Sequence, residues 1–407
     1  MNASARILML APEPFFEPRG TPFSEYHRIK ALSELGYRID LVTYPLGADV
    51  AIQNLEIHRC ARLPFVRRVP VGPSIVKVFL DLLLTITATR LAFNRRYAAI
   101  HSHEEAGLLG VWLASWIGVP HLYDMHSSLP QQLRNFRYTR LAVAQRLFEW
   151  AERTMVERSR VVVTICPELQ DTAIALGAGD RARLIENVMG GDVDHAAGTP
   201  RDALRARYGL EADQPVLLYA GTFEPYQGLD LLIDAAARLH VTHPDACVLV
   251  AGGTPVQVDA ARVRAERAGS PLVFAGQRPP EEIPSFVAAC DILVSPRISG
   301  TNTPLKIYSY LRSGRPILAT DLRTHTQVLT PETARLVPPD PVALAEGMAE
   351  LIDQPEERTR LAEAARALAE VRYSRASYLS RTAAAYAHLL DTPPDAGDGP
   401  GTETGRA

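Results

Sequence analysis

The feature that most constrains the fold is a strand, loop, helix and strand pattern that occurs once in each half of the chain. In the first half, the apolar run Arg6 to Ala11 leads into a loop rich in proline and glycine. A helical stripe of apolar residues then ends at Gly36, and a second apolar run extends from Tyr37 to Tyr44. Short apolar runs joined by helices are typical of buried parallel strands.

The same pattern starts again at residue 215. The run Pro215 to Ala220 is followed by the loop GTFEPYQG, a helix over 229–239 and a strand over 247–251. Further strands are predicted in both halves, at 97–102, 121–124, 161–165, 272–275, 292–295, 316–319 and 335–337. The chain is therefore predicted to be an α/β protein with two doubly wound, Rossmann-like domains, whose strand ends face one cleft.

Composition changes along the chain set the predicted domain boundaries. Residues 356–390 are rich in Ala, Arg, Glu and Leu and are interpreted as long helix, whereas 392–407 has the composition of a disordered tail. The predicted organisation is an N-terminal domain over 1–195, a linker over 196–214, a second domain over 215–370, a C-terminal helix over 371–390 that packs back on the first domain, and a disordered tail over 391–407.

Charge, cysteine usage and hydropathy exclude several classes of protein. The 407 residues carry a net charge of -3, so no basic excess indicates a nucleic-acid partner. The 4 cysteines show no metal-ligand spacing, which fits a reducing compartment. The first residues lack the features of a signal peptide, and we expect a cytoplasmic protein. The most membrane-like stretch, Ile75 to Phe93, contains Lys77, Asp81 and Arg90 and is a poor spanning helix.

Two local stretches are basic and also contain apolar residues at helical spacing. Arg59 to Arg96 holds eight basic residues and one acid, and Arg134 to Arg160 holds seven arginines and three glutamates. Such helices can lie on an anionic membrane surface. For this protein, the expected surface is the inner face of the membrane. The alternative is that each helix packs its apolar side on its own domain and keeps its arginines in water.

The segment 291–321 carries the strongest chemical signal. A strand ending at Ser295 leads through a polar loop to a helix with Pro304 in its first turn, where proline is favoured. Loop N–H groups, the positive helix end, Arg297 and Lys306 together could hold a diphosphate. The alternative is a capped helix with solvated basic residues.

This segment resembles the donor site of glycosyltransferase family 4, which has the GT-B fold. The family has a strand ending in proline, a Glu-Gly-Phe-Gly-type loop, and a helix reading Glu-Ala-Met-Ala-x-Gly-x-Pro. The matching helix here is Ser309-Tyr310-Leu311-Arg312-Ser313-Gly314-Arg315-Pro316. The segments ACDILVSP, FAGQRPPEEIPSF and IENVMGGDVD are also similar to family segments. The resemblance spans about residues 5–390 and is firmer in the second half.

The chain departs from the family at charged positions. Thr301 and Ser309 stand where the family has two glutamates, and Thr222 and Gln227 stand where it has a basic pair. Arg297 and Lys306 flank the predicted anion loop and are expected to compensate for that pair. The expected donor-binding residues are Gly221, Thr222, Glu224, Gln227, Arg297, Thr301, Asn302, Thr303, Pro304, Leu305, Lys306 and Ser309.

The first domain contributes the expected acceptor side. By resemblance, His126 after a strand end is the catalytic candidate, close to the reacting sugar. The expected acceptor-binding residues are Glu13, Gly20, Thr21, His103 and Glu104. His101 and His103 lie on one face of a strand, but no third ligand is recognisable and no metal is predicted. The DxD triplet Asp192-Val193-Asp194 precedes the linker and is interpreted as structural.

The resemblance implies a glycosyltransferase that moves a sugar from a nucleotide-diphosphate sugar to the hydroxyl of a glycan or lipid-linked glycan, with retention. It implies a cell envelope polysaccharide role, a nucleotide-sugar co-substrate, and no cofactor or metal. Closure of the domains around both substrates is expected. The missing glutamates and basic pair leave open a non-catalytic GT-B scaffold that binds glycan or a partner enzyme. A GT-B sugar-nucleotide epimerase or a phosphorylase is the third alternative.

Overall fold

The computed structural model describes residues 5–16, 20–64, 66, 69, 74–131, 142–187 and 199–390. The chain divides into two compact units. The first unit comprises Met1–Ile185 and Tyr378–Ala407, and the second comprises Glu186–Ser377. The C-terminal segment therefore returns to the unit in which the chain begins.

The first unit is built on a seven-stranded parallel sheet with the order β3-β2-β1-β4-β5-β6-β7. Its strands are β1 Arg6–Ala11, β2 Arg38–Thr43, β3 Leu55–Arg59, β4 Ala99–His103, β5 His121–Met125, β6 Val161–Thr164 and β7 Ala182–Leu184. The order reverses direction between β1 and β4, which pair in parallel. Such a reversal leaves a crevice at the carboxyl ends of the two strands, where ligands bind in doubly wound folds.

Helices connect these strands. They are α1 Gly20–Glu34, α2 Ile75–Asn94, α3 Ala106–Ile117, α4 Ala142–Arg158, α5 Pro167–Ala175 and, from the end of the chain, α14 Arg375–Leu389. The Ser74 side chain caps α2 by accepting from the Lys77 N–H at 3.2 Å. Gly118, with φ of 71°, ends α3 in the left-handed conformation that glycine adopts readily.

The second unit is built on a six-stranded parallel sheet with the order β10-β9-β8-β11-β12-β13. Its strands are β8 Val216–Ala220, β9 Cys247–Ala251, β10 Leu272–Gly276, β11 Ile292–Ser295, β12 Ile317–Thr320 and β13 Arg335–Val337. Its helices are α6 Arg201–Arg207, α7 Leu229–Thr242, α8 Pro255–Ala268, α9 Ile283–Ala289, α10 Leu305–Arg312, α11 Arg323–Thr326, α12 Pro341–Asp353 and α13 Pro355–Arg372. The reversal of order falls between β8 and β11, so the loops after these strands meet at one edge.

Both faces of the second sheet are buried. Val216, Leu218 and Ala220 of β8 pack in one apolar cluster, whereas Leu217 and Tyr219 pack in another. Side chains alternate between the faces of a strand, so a sheet covered on both sides requires apolar residues at every position. This accounts for the uninterrupted apolar runs in the sequence.

The structure differs from the sequence prediction in several segments. β3 and β7 were not predicted: β3 is only partly buried and reads Leu-Glu-Ile-His-Arg, and β7 has 3 residues. The predicted linker 196–214 contains α6, and Leu204 and Leu210 pack in the core of the second unit. The long helix predicted over 356–390 is two helices, α13 and α14. Residues 196–198 and the predicted tail 391–407 lie outside the described residues.

Candidate active site

Three loops meet at the carboxyl edge of the second sheet. They follow β8 (221–228), β9 (252–254) and β11 (296–304). The Ile298 N–H donates to the Tyr226 carbonyl at 3.0 Å, and the Gly252 N–H donates to the Gly276 carbonyl at 2.8 Å. The first bond joins the loops after β8 and β11, and the second joins the loop after β9 to the end of β10.

Two glycines allow the loops to approach this closely. A Cβ at Gly228 would lie 1.8 Å from the Pro296 carbonyl oxygen, and a Cβ at Gly252 would lie 1.8 Å from the Gly221 oxygen. Both glycines also have positive φ, 76° and 137°. Only glycine fits at either position without displacing a neighbouring loop.

Arg297 supports the loop after β11 from inside the fold. Its Nη1 donates to the Asn302 carbonyl at 2.6 Å and to the Thr324 hydroxyl at 2.7 Å. Its guanidinium carbon lies 5.0 Å from the centre of the Tyr226 ring. Gln327 supports the same loop by donating to the Thr301 carbonyl at 2.8 Å. Part of the guanidinium predicted to hold an anion is thus used to hold the loop.

Lys306 is placed differently. Its Nζ is buried, lies 4.3 Å from the centre of the Tyr219 ring, and has no hydrogen-bond partner among the described residues. A Cβ added to Gly221 would lie 3.4 Å from this nitrogen, so the ammonium faces the loop after β8. Burial, followed by the charge of Arg297, lowers the pKa of Lys306 to about 7. A buried cation without a partner is costly unless an anion joins it.

The remaining predicted donor residues lie in the loops after β8 and β11 and on α10. Thr222 is exposed, and its carbonyl accepts from the Tyr219 hydroxyl at 2.7 Å. Glu224 is exposed at the start of the short 3-10 helix Pro225–Gln227. The Gln227 Oε1 and the Thr303 Oγ1 are buried without hydrogen-bond partners in the described part of the chain.

The start of α10 differs slightly from the prediction. Pro304 is the N-cap, and the helix begins at Leu305. The Ser309 hydroxyl donates to the Lys306 carbonyl at 3.1 Å, as serines within helices often do. Ser309 therefore turns its proton toward its own helix at the position where the family has a glutamate.

The first unit contains a buried polar cluster at the carboxyl ends of β4 and β5. The Asp124 Oδ2 accepts from the Arg28 Nε at 3.1 Å and lies 3.3 Å from the His101 Nε2. The Tyr386 hydroxyl of α14 lies 2.7 Å from the His101 Nδ1. Arg28, followed by His126, holds the pKa of Asp124 well below its ordinary value although burial acts in the opposite direction. The cluster is thus organised around an ionised aspartate.

His126, the predicted catalytic residue, belongs to this cluster. Its Nε2 lies 3.0 Å from the His103 Nδ1 and 3.4 Å from the Asp124 Oδ1. Burial lowers the pKa of His126 to about 4, and the nearby Arg28 acts in the same direction. His126 is therefore neutral at pH 7 and can donate or accept one hydrogen bond.

The predicted acceptor residues Glu104 and Glu13 follow β4 and β1 at the carboxyl edge of the first sheet. Glu104 has φ of 49°, and its Oε2 accepts from the Ser127 hydroxyl at 2.7 Å. Burial, followed by the charge of Glu105, raises the pKa of Glu104 to about 8. Glu13 is half-buried after β1 and interacts with the buried Glu25. Gly20 and Thr21 begin α1.

A third candidate metal ligand, which the sequence did not reveal, is Asp124. Ligand atoms of His101, His103 and Asp124 lie within 4.8 Å of one another. However, Arg28 already bonds the Asp124 carboxylate, and Tyr386 bonds His101. Asp124 could have been suspected because it lies near the end of β5, two residues before His126, whereas Tyr386 gives no local signal.

Several residues of the two basic stretches are bound within the fold. Arg59 donates to the carbonyls of Phe15 and Leu46 at 2.6 and 2.7 Å, and Arg95 pairs with Glu56 and Asp40. Arg62, Arg90 and Arg96 are exposed. The described ranges omit Arg67, Arg68, Arg134, Arg137 and Arg140. Within the described ranges, no helix combines the length and apolarity needed to cross a bilayer.

Comparison with known families agrees with this architecture. Residues 26–187 match the family described as glycosyl transferase 4-like domain, and residues 200–368 match glycosyl transferases group 1. The chain is 26% identical to an alpha-D-kanosaminyltransferase of Streptomyces kanamyceticus over 349 residues, covering 80% of this chain and 88% of that protein. It is 23% identical to a phosphatidyl-myo-inositol mannosyltransferase of Mycobacterium leprae over 355 residues, covering 85% and 87%.

Solved structures show the same fold. Sucrose-phosphate synthase from Thermosynechococcus elongatus superposes with a TM-score of 0.75 at 20% identity, covering 95% of this chain and 99% of that chain. HepE of Anabaena in complex with UDP superposes with a TM-score of 0.73 at 17% identity, covering 94% and 99%. The fold class and the family resemblance predicted from the sequence are confirmed. The chain belongs to the family 4 type of GT-B glycosyltransferases and is an enzyme that transfers sugar from a nucleotide sugar.

Proposed function

We propose that this glycosyltransferase takes its sugar from a uridine-diphosphate sugar and transfers it with retention to a hydroxyl of a glycan or lipid-linked glycan of the cell envelope. The observation that carries the proposal is the buried Lys306 ammonium, which has no hydrogen-bond partner in the described residues and faces the glycine loop after β8. A diphosphate between that loop and α10 would give this cation its missing partner.

The chemistry requires charge stabilisation where the diphosphate leaves. As the bond between sugar and phosphate breaks, negative charge grows on the phosphate oxygens and the sugar gains oxocarbenium character. Lys306 and the free N–H groups in the first turn of α10 would stabilise that charge. Arg297 would act mainly by holding the loop, because its Nη1 already bonds Asn302 and Thr324.

In the first unit, we propose that neutral His126 bonds a hydroxyl of the transferred sugar or of the acceptor. Arg28 and Asp124 fix the surrounding cluster, and His103 limits the orientations of the His126 ring. Glu104, together with Glu13, Gly20, Thr21 and His103, is proposed to line the acceptor side. A carboxyl that stays partly protonated near pH 7, as Glu104 does, can bond hydroxyls both as donor and as acceptor.

We further propose that transfer needs no metal or other cofactor. The described part of the first unit has two groups of potential ligands. In the group Asp40, Glu56 and His58, both carboxylates pair with Arg95. In the other group, Arg28 neutralises Asp124, and Tyr386 and His126 bond the two histidines. A divalent cation there would face the Arg28 charge at close range. Activity that survives EDTA and is unchanged by added Mg²⁺, Mn²⁺ or Zn²⁺ is expected.

The proposal also includes a lipid-linked acceptor and a membrane location. A lipid-linked acceptor would place the enzyme at the inner face of a cytoplasmic membrane, where nucleotide sugars are available. The exposed Arg62, Arg90 and Arg96 support binding of the protein to an anionic membrane surface. A relative named as a phosphatidyl-myo-inositol mannosyltransferase supports an acceptor with a lipid part.

The test begins with calorimetric titration of the purified protein with UDP, GDP, ADP and dTDP and their glucose or mannose derivatives. We expect selective binding of UDP and a UDP-sugar, weakened by Lys306→Ala. Turnover of the bound sugar nucleotide with a panel of glycan and lipid-linked acceptors follows, and proton NMR of the new anomeric centre determines retention or inversion. Absence of binding to every nucleotide by the folded protein would refute the donor assignment.

A further inference from the structure

The outer side of the first unit carries an apolar surface that sugar transfer does not explain. α3 packs between α2 and α4 on one side of the sheet. The large exposed apolar side chains of these three helices form what we call the tryptophan face. Its members are Ile75, Val78, Phe79, Leu82, Ile86 and Phe93 of α2, Trp112 and Trp116 of α3, and Leu147 and Trp150 of α4.

The exposed residues of α2 follow a helical repeat. Ile75, Phe79, Leu82 and Ile86 are spaced by four, three and four residues and therefore share one side of the helix. The opposite side packs on the sheet through Leu80, Leu84, Ala88 and Ala92. A surface helix ordinarily has polar residues on its outer side, so α2 is apolar on the side where water would favour charge.

The charges of α2 are turned inward. Lys77 pairs with Glu105 at 3.0 Å, and Asp81 accepts from the Tyr44 hydroxyl. Arg90 is exposed on the outer side, and Arg96 is exposed just beyond the helix. Two of the three charges that made this stretch a poor spanning segment therefore lie away from the outer side, which keeps only the basic Arg90.

The tryptophans indicate the partner. The chain has 3 tryptophans, and all of them lie on the tryptophan face, 46%, 66% and 50% exposed at positions 112, 116 and 150. Trp112 and Trp116 are one helical turn apart on α3. Tryptophan is favoured at the boundary between lipid headgroups and acyl chains, and helices with apolar outer sides and flanking arginines lie flat in that boundary.

We propose that the tryptophan face inserts into the interfacial layer of a lipid bilayer with anionic headgroups. Ile75 to Phe93 lies parallel to the surface, Trp112, Trp116 and Trp150 enter at headgroup depth, and Arg90 and Arg96 contact lipid phosphates. The inference deepens the proposed function, because a lipid-linked acceptor would require this placement. On this proposal, the protein binds the bilayer mainly through apolar side chains, and the arginines contribute less than the charge of the stretch suggested.

The position of all tryptophans on this face makes intrinsic fluorescence a direct probe. The full chain is mixed with phosphatidylcholine vesicles and with vesicles containing 25% phosphatidylglycerol, about a quarter anionic lipid, as in an acidic membrane surface. We expect cosedimentation, a blue-shifted emission, and quenching by lipids brominated near the headgroup end of their acyl chains. Binding to the anionic vesicles should be tighter and should persist at high salt, because apolar burial is not screened.

A matched pair of variants tests the location. Leu82→Asp/Ile86→Asp changes two exposed residues of the face, and Val241→Asp/Val256→Asp makes the same kind of change at two exposed residues of the second unit, 83% and 79% exposed. We expect the first pair to weaken vesicle binding at least about tenfold and the second to leave it unchanged, with both proteins folded by circular dichroism.

Three outcomes would overturn the inference. They are failure of the wild type to bind either vesicle, equal loss in both variant pairs, and self-association of the wild type that Leu82→Asp/Ile86→Asp abolishes without any vesicle binding. Calorimetric binding of UDP is measured in the same samples. Failure of vesicle binding with intact UDP binding rejects the tryptophan face alone, and the converse rejects the donor assignment alone.

Discussion

Replacing Lys306 by methionine should change ligand binding and protein stability in opposite directions. The Lys306 ammonium is buried over the Tyr219 ring without a hydrogen-bond partner in the described residues, and its pKa falls from the ordinary 10.5 to about 7. That difference of about 3.5 units corresponds to roughly 5 kcal/mol of destabilisation at and below pH 7. Methionine keeps most of the apolar stem and removes the charge, so Lys306→Met should raise the free energy of unfolding by several kcal/mol.

The same substitution should weaken UDP binding. An ammonium and a phosphate oxygen about 4 Å apart at an effective dielectric constant of about 20 interact by roughly 4 kcal/mol. Part of this is offset by desolvation of the phosphate, which leaves about 2–4 kcal/mol, or roughly 30- to 1,000-fold in Kd. Urea unfolding without ligand and calorimetry with UDP measure the two effects on one preparation.

The pH dependence gives an independent check. In the unfolded chain Lys306 keeps its proton up to its ordinary pKa, whereas the folded protein releases it near pH 7. The unfolded state thus binds more protons at Lys306 between about pH 7 and 10.5, so the stability of the wild type relative to Lys306→Met should rise with pH across this window, at up to about 1.4 kcal/mol per unit. The UDP affinity of the wild type relative to Lys306→Met should fall over the same range. Comparison with Lys306→Met removes the contribution of groups that titrate in both proteins, such as Glu104.

Lys30→Met, the same change in the first unit, serves as the control and should leave UDP binding unchanged. A stabilised Lys306→Met protein with wild-type UDP affinity would show that Lys306 does not contact the diphosphate. A destabilised Lys306→Met protein would show that the ammonium has a favourable partner in the folded state, which would refute the reasoning from burial.

Three further predictions concern the architecture of both units. Gly228→Ala places a Cβ 1.8 Å from the Pro296 oxygen at positive φ and should destabilise the second unit by more than about 3 kcal/mol in urea unfolding. The control Gly269→Ala, with φ of 67° and open space around it, should cost only about 1 kcal/mol. Equal costs would contradict the loop packing. The pKa of His126 is lowered to about 4, so the unfolded state binds more protons than the folded state between pH 4 and 6.5. As pH falls through this window, the wild type should lose about 3 kcal/mol of stability relative to His126→Gln. A stability difference that stays constant would show that His126 is not buried as described. Tyr386→Phe removes the hydroxyl that lies 2.7 Å from the His101 Nδ1. The free energy of unfolding should fall by about 1–3 kcal/mol, which thermal melting would detect as a lower melting temperature. Tyr37→Phe keeps its ring contact with Tyr386 and should leave the stability nearly unchanged.

Much of the fold could be predicted because its signals are local. Buried parallel strands must be apolar throughout, so β1, β8, β9 and β11 are visible as short apolar runs. The glycine-containing loop between β11 and α10 then suggested where an anion would bind, which stays a prediction. The partly polar β3 and the three-residue β7 gave no such signal, and their places depend on pairing with strands already formed.

The sequence also identified the types of residue at the site, but not their state. It placed Arg297 and Lys306 beside one loop and treated them as equivalent cations. The structure separates them, because Arg297 bonds the backbone of its own loop and Thr324, while the Lys306 ammonium is left over the Tyr219 ring. Which cation remains available for a ligand depends on Asn302 in the loop, Thr324 on α11 and Tyr219 on β8, and sequence spacing does not record those contacts.

By itself, then, the sequence determined the α/β class, the parallel strands and the residues at the strand ends, because burial and loop geometry leave patterns within a few residues. Only the tertiary structure decided that Tyr386 reaches His101 across 285 positions, that α6 joins the second core, and that Lys77 and Asp81 turn inward while the apolar side of α2 faces out. These outcomes depend on which distant surfaces pack together. Packing selects among orientations that have the same local sequence pattern, so no local pattern can encode the choice.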